Sequence, residues 1–255
     1  APTFDKKNHR LIVFKNLIKS KYFIKMVVIS EALKNMYLEK RYLSNTKIQI
    51  AHDGADEVVN FDRKIELLGH KENLKVGYVG HLYKGKGMEV IASLANKLDD
   101  DIEIHIIGGL EKDIKFWKSK INSKNIFFYG FISHKEVSSY INALDVCLLP
   151  NQKIVLAHGS ESSKEFMNIS DFTSPLKLFE YMSHRKPIIA SDLAVIREVL
   201  NEKNSILLKC DDIDLWINSI KNLKNLKNRD LIANQALSDF YNYSWKNRAL
   251  LVLKF

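Results

Sequence analysis

Cysteine is nearly absent: Cys147 in DVCLLP and Cys210 in ILLKC are the only two, each sits in an apolar run, and they form no C-x-x-C pair. That argues against a disulfide-stapled scaffold and a thiolate metal site, and predicts buried free thiols in a reducing, cytoplasmic setting. Long hydrophobic runs are also missing. No segment approaches the roughly 18 apolar residues of a membrane span, and the start, APTFDKKNHR, has the wrong order of features for a signal peptide. The lack of an initiator Met predicts a processed or truncated chain. The eight histidines form no ligand cluster, and no repeat or low-complexity tract is visible.

What is present suits a globular chain: 255 residues, 46% hydrophobic and 27% charged, enough for one or two compact units with a sizeable core. The net charge of +9 is local. Residues 1 to 50 carry 11 Lys/Arg against 3 Asp/Glu, leaving 28 against 27 for the remainder. A nucleic-acid binder would stripe its charge through the folded unit, so DNA and RNA are not expected partners.

From about residue 74 short apolar runs alternate with longer amphipathic stretches, the pattern of parallel strands joined by crossover helices. The runs are 76–79, 102–107, 126–129, 146–149, 188–190 and 206–208. Between or after them, Met88, Ile91, Ala92, Ala95 and Leu98 keep helical spacing, as do Val137, Tyr140, Ile141 and Leu144, then Leu178 and Met182, and Leu215, Trp216, Ile220 and Leu223. The expected fold is a doubly wound, Rossmann-like α/β domain. Upstream, 26–29 and 48–51 are strand-like around the helix-like SEALKNMYLEKRYL, and Asp53-Gly54 marks a turn. Residues 1–52 are therefore expected to be the remnant of a preceding unit plus a linker, and 53–255 the α/β domain, with a last helix returning toward that preceding unit.

Two segments can carry chemistry. The strand VGYVG runs into HLYKGKG, placing Gly77, Gly80, Gly85 and Gly87 around two lysines at a strand's carboxyl end, where ligands bind in open parallel sheets. Gly80-x-x-x-x-Gly85-Lys86 nearly matches a P-loop, but Gly87 stands where the Mg²⁺-binding hydroxyl belongs, and Val90 breaks G-x-G-x-x-G. What remains is backbone open to close approach and a cation, Lys86, suited to phosphate; the bland alternative is a flexible turn with a solvated lysine. The second segment is DFTSPLKLFEYMSHRKPIIAS, 171–191. Ser174 as N-cap and Pro175 as first helical residue predict a helix whose free N–H groups and dipole suit a diphosphate without a metal. Glu180, one turn on, can accept hydrogen bonds from a ribose diol, or else simply pair with Lys177 at i, i+3.

Taken in order, GHLYKGKG, HIIGG (105–109), NIFFYGFISHKEV (125–137), ALDVCLLPN (143–151), TSPLKLFEYMSHRKPIIASDLAVIREVL (173–200) and YSWKNRA (243–249) resemble the GT4-type glycosyltransferases of the GT-B fold. The resemblance covers residues 27 to 250. It implies the carboxyl-terminal, nucleotide-sugar-binding half of a retaining enzyme of cell-surface polysaccharide assembly, with a UDP- or GDP-sugar donor, a glycan or lipid-linked acceptor, and no cofactor or divalent metal. It puts Gly80, His81 and Lys86 against the donor diphosphate, His81 standing where many relatives have an arginine. Gly108 falls in the donor site, and Gly130 and Phe131 fall where backbone reads the nucleobase. Thr173, Ser174, Pro175, Leu176 and Lys177 form the loop and helix start that cradle phosphate and sugar. Glu180 matches the second acid of E-x₇-E, whereas Phe172, beside Asp171, occupies the place of the first. Lys86 and Glu180 are the catalytic candidates.

Two other readings compete: a non-catalytic nucleotide-binding module and a nucleotide-sugar epimerase of the same architecture. The basic stretch KKNHRLIVFKNLIKSKYFIKM presents either an amphipathic face for peripheral contact with anionic lipid or the solvated face of a helix packed in the preceding unit.

Overall fold

The computed structural model describes residues 9–58, 65–154, 170–172 and 174–254. Six parallel strands form the main sheet: β3 (Leu74–Val79), β4 (Ile102–Ile107), β5 (Ile126–Gly130), β6 (Val146–Leu149), β7 (Ile188–Ser191) and β8 (Ile206–Leu208). They lie in the order β5-β4-β3-β6-β7-β8. Their largely apolar sequences follow from burial of most positions on both faces, with Lys75, Glu103, His105 and Ser191 as buried polar exceptions. Side chains alternate: Val76, Tyr78, Ile104, Ile106, Val146 and Leu148 enter one core, while Val79, Ile107, Cys147 and Leu149 enter the other. The first core is closed by α3 (Met88–Ala95), α4 (Glu111–Lys118) and α8 (Ile213–Asn222). The second is closed by α5 (His134–Ala143), α6 (Leu176–Ser183), the short α7 (Ala194–Arg197) and α9 (Leu226–Phe240). Burying each Val, Leu or Ile contributes about 1.5–3 kcal/mol, so the sandwich is held chiefly by these two apolar layers.

Upstream lie α1 (His9–Lys19), β1 (Met26–Val28), α2 (Glu31–Glu39) and β2 (Ile48–Ile50). β1 and β2 pair with each other in parallel, forming a separate two-stranded sheet whose small core is Val28, Tyr37 and Ile48. The last helix, α10 (Trp245–Leu253), meets this region: Gln49 Nε2 donates to Leu251 O at 2.8 Å and Arg248 Nε to Ala51 O at 3.3 Å. Among the described residues no helix is long and apolar enough to cross a membrane. Both cysteines are buried and free.

The amino-terminal end of the main sheet is closed by charge rather than by apolar packing. Lys75 on β3 is in register with Glu103 on β4, and their side chains form an ion pair with Glu103 only 1% exposed. Glu103 also accepts from His70 N–H at 2.7 Å and Asn73 Nδ2 at 3.0 Å, and Lys75 Nζ donates to His70 O at 2.5 Å. Next to them Tyr129 Oη accepts from Leu68 N–H at 2.9 Å, which leaves the phenol's own proton for His105 Nδ1, also at 2.9 Å. His105 then carries its proton on Nε2, 3.6 Å from Glu103 Oε2. Burial, then the Lys75 cation, pull the pKa of this imidazole down to about 4.

Candidate functional site

The strand order reverses direction between β3 and β6, so the switch-point crevice opens at their carboxyl ends. The β3–β6 ladder is short: Val76 pairs with Val146 and Gly77 with Cys147. Beyond it the strands part, and the Val79 N–H donates instead to Tyr181 Oη of α6 at 2.9 Å. Burial holds this phenol well above its usual pKa, so it stays neutral. Tyr181 thus fixes α6, and with it Glu180, beside the end of β3.

Backbone forms the floor of the crevice. Gly80 N–H donates to Ile107 O at 2.9 Å and Gly108 N–H to Gly130 O at 2.8 Å, stitching together the ends of β3, β4 and β5. Gly87 caps α3 with φ +96°, and a Cβ there would come within 2.1 Å of Pro150 O. Gln152 N–H also donates to Gly85 O at 2.9 Å. The β3–α3 loop and the exit of β6 therefore touch backbone to backbone, which only glycine permits at position 87.

On that loop Lys86 stands at the start of α3, its ammonium 5.3 Å from the centroid of the Tyr83 ring, and burial lowers its pKa below the ordinary lysine value. The exposed His81 ring stacks on Tyr83 at 5.7 Å. Tyr83 was not singled out in the sequence, although it lies in GHLYKGKG between the two residues that were.

The α6 helix starts one residue later than its sequence predicts. Pro175, not Ser174, is the N-cap: its ψ is 110°, and its carbonyl accepts from Leu178 N–H at 3.0 Å. Among the described residues no side chain caps this end. With ψ at 110° Pro175 is itself still extended, so the helix begins at Leu176 and Ser174 stands one residue further out. The first-turn N–H groups are then those of Leu176 and Lys177, which precede the first intrahelical bond.

Leu176 and Glu180 face a groove of about 470 Å³ shared with His134 and Val137 of α5 and with Ala55 and Asp56 of the linker. Lys177 Nζ meets Glu180 Oε2 at 2.5 Å, so the i, i+3 pair forms, with both side chains largely buried. At the base of the groove His184 Nδ1 donates to Glu180 O at 2.7 Å, while Ser138 Oγ lies 2.7 Å from Nε2. The carbonyl partner fixes the tautomer, and burial lowers the pKa of this imidazole. Phe131, 78% exposed, follows Gly130 (φ +75°) at the end of β5.

The structure thus gathers Gly80, Gly108 and Gly130 on one edge. His81 and Lys86 stand on the loop leading to α3, on one side of the sheet, and Glu180, Leu176 and Lys177 belong to α6 on the other. Lys86 does not line the groove that holds Glu180. Phe172 is half-buried beside the exposed Asp171, and Thr173 lies outside the described residues. Among the described residues no three His, Cys, Asp or Glu side chains are grouped so as to hold a metal ion.

A Rossmann-like sheet with a glycine-floored crevice at its switch point defines a class of nucleotide-binding α/β domains, and comparison makes the family specific. Residues 73–225 match the family model of glycosyl transferases group 1, and the chain belongs to that family. An uncharacterized glycosyltransferase of Methanocaldococcus jannaschii is 28% identical over 234 residues, covering 87% of this chain and 55% of the relative. The Anabaena protein HepE, solved in complex with UDP-glucose, superposes with a TM-score of 0.70 at 16% identity, over 95% of this chain and 66% of that one. A glycosyltransferase from Rickettsia africae gives 0.71 at 14%, over 95% and 65%. At these identities the structural likeness is one of fold, that of GT-B glycosyltransferases. The chain spans about half the length of the Methanocaldococcus relative and about two thirds of these two structures.

Proposed function

We propose that this chain is the donor-binding part of a retaining, GT4-type glycosyltransferase. It takes a UDP- or GDP-sugar and passes the sugar to a glycan or lipid-linked acceptor in cell-surface polysaccharide assembly. The observation that carries this reading is the tie of Tyr181 to Val79, which holds the Glu180 helix against the end of β3, the strand whose following loop carries Lys86. In this reading Gly80 and Gly108, whose own N–H groups are taken up by strand-end carbonyls, only leave the diphosphate room at the crevice edge. Lys86 and the first-turn amides of α6 offset the charge that grows on it as the glycosidic bond breaks. These groups are fixed before the reaction, so stabilisation needs no reorganisation and no divalent metal. Glu180, held by Lys177, accepts from the ribose diol. The nucleobase lies near Gly130 and Phe131. No side chain serves as nucleophile; the acceptor attacks from the face the leaving group departs.

HepE, with its bound UDP-glucose, favours a uridine donor. In the same reading residues 1–52 are the end of an acceptor-side unit, the enzyme is cytoplasmic, and its basic start rests on the inner membrane face. This chain then binds donor with little turnover. Titration calorimetry with UDP and GDP is the test: Lys86→Ala should weaken one of them about tenfold or more, in line with the loss of a charge-assisted contact, and Glu180→Gln should weaken the same one. Unchanged affinity in both variants overturns the assignment. Phe172, where the pattern has an acid, favours a second reading as a binding module, which measured sugar transfer would dismiss.

A further inference from the structure

The amino-terminal unit is joined to the main sheet by more than the linker. Glu198 follows α7, and its carboxylate reaches the start of α2: Oε2 accepts from Glu31 N–H at 2.7 Å and Oε1 from Ala32 N–H at 3.2 Å. The donors are 167 and 166 positions away in sequence. The next two amides of the helix are served locally, Leu33 N–H by Ser30 Oγ and Lys34 N–H by Ser30 O, both at 3.1 Å. All four opening N–H groups of α2 are therefore matched, two by its own cap and two by a side chain from the other sheet. Glu198 is only 16% exposed, and His52 of the linker, bonded to Ile29 O at 3.0 Å, stands 3.7 Å from it.

An exposed helix start needs no such partner, because water satisfies its amides and Ser30 already supplies the cap. A largely buried carboxylate gives up hydration, which only well-directed donors and the positive helix end restore. Two bonds from one rigid group also fix direction as well as distance. We infer that Glu198 is a positioning residue, a clasp that sets the angle between the β1–α2 unit and the donor-binding sheet. Its role in transfer rests on the function proposed above, since it would aim the acceptor side at the crevice; the clasp itself does not.

The test places spin labels on cysteines introduced at the exposed Lys40 and Lys112, the native Cys147 and Cys210 being buried. The 255-residue chain should give one narrow distance distribution. Glu198→Ala should at least double its width and speed amide exchange at Glu31 and Ala32 at least tenfold. Glu198→Gln, which keeps one acceptor oxygen, should fall between. Exchange in β3 and β4 should not change, and any UDP or GDP affinity should stay within twofold. Unaltered width and exchange in Glu198→Ala overturn the clasp. So does loss of protection in β3 and β4, which would make Glu198 a general stability element. If no variant, nor the parent chain, binds either nucleotide, the donor reading fails while the distance measurement still judges the clasp.

Discussion

Toward the amino-terminal end of the main sheet Lys75 and Glu103 pair under the 66–70 segment, and His105, fully buried in mid-strand beside them, is bonded by the Tyr129 hydroxyl from β5. At the carboxyl end of the same strands stand Gly80, Gly108 and Gly130, where main chain meets main chain: Gly80 N–H bonds Ile107 O and Gly108 N–H bonds Gly130 O. One end is finished largely by charged and polar side chains, the other by main chain drawn close together. The strands give both ends the same frame; residue choice makes them different. Removing polar groups at the charged end should lower stability and leave nucleotide binding unchanged, while crowding the glycine edge or its loop should lower both.

The largest effect expected on this contrast comes from Glu103→Ala. Removing the carboxylate strands the Lys75 ammonium in the interior, and urea unfolding should show a loss of about 3–5 kcal/mol. Nucleotide affinity, measured while the protein is still folded, should hold within twofold; a parallel fall in affinity would show that the two ends are coupled.

A pH series probes the same charged end. His105 titrates near 4 in the folded chain against 6.5 for a free imidazole. Between those values the unfolded chain binds more protons, so stability is complete above about pH 6.5 and falls as pH drops toward 4, by up to about 3 kcal/mol. His184, lowered in the same direction, adds to the slope. Replacing His105 by Gln should flatten most of the dependence; an unchanged slope would assign it elsewhere.

Gly87→Ala should do least to stability, about 1–3 kcal/mol for a side chain at φ +96° facing Pro150 O. Because the displaced loop carries Lys86, nucleotide affinity should nonetheless fall at least tenfold by calorimetry. Loss of stability without loss of affinity would remove this loop from the donor site.

Much of this frame can be read from the chain itself. Each of the six apolar runs lies in a strand of the main sheet, and apolar residues dominate even 102–107, where Glu103 and His105 interrupt the run. The Lys177–Glu180 pair and the glycine loop were visible for similar reasons, as local spacing decides both. Contacts set by the packing of distant segments were not. Lys75 and Glu103 are 28 residues apart and become partners only through the β3–β4 register. Tyr181 reads as a core residue of α6, and nothing near it in sequence reveals that its hydroxyl serves Val79. The cap of α6 lies at Pro175 because the backbone there is still extended in ψ, which a Ser-Pro pair equally suited to N-cap and first helical residue does not reveal.

The hydroxyl of Tyr181 has one more consequence. It grips main chain rather than a neighbour's side chain, so drift in the apolar sequence of β3 leaves the grip intact, and α6 travels with the strands as one piece. A movement of the β1–α2 unit would leave that junction as it is, and would have to release the Glu198 carboxylate from Glu31 and Ala32 instead.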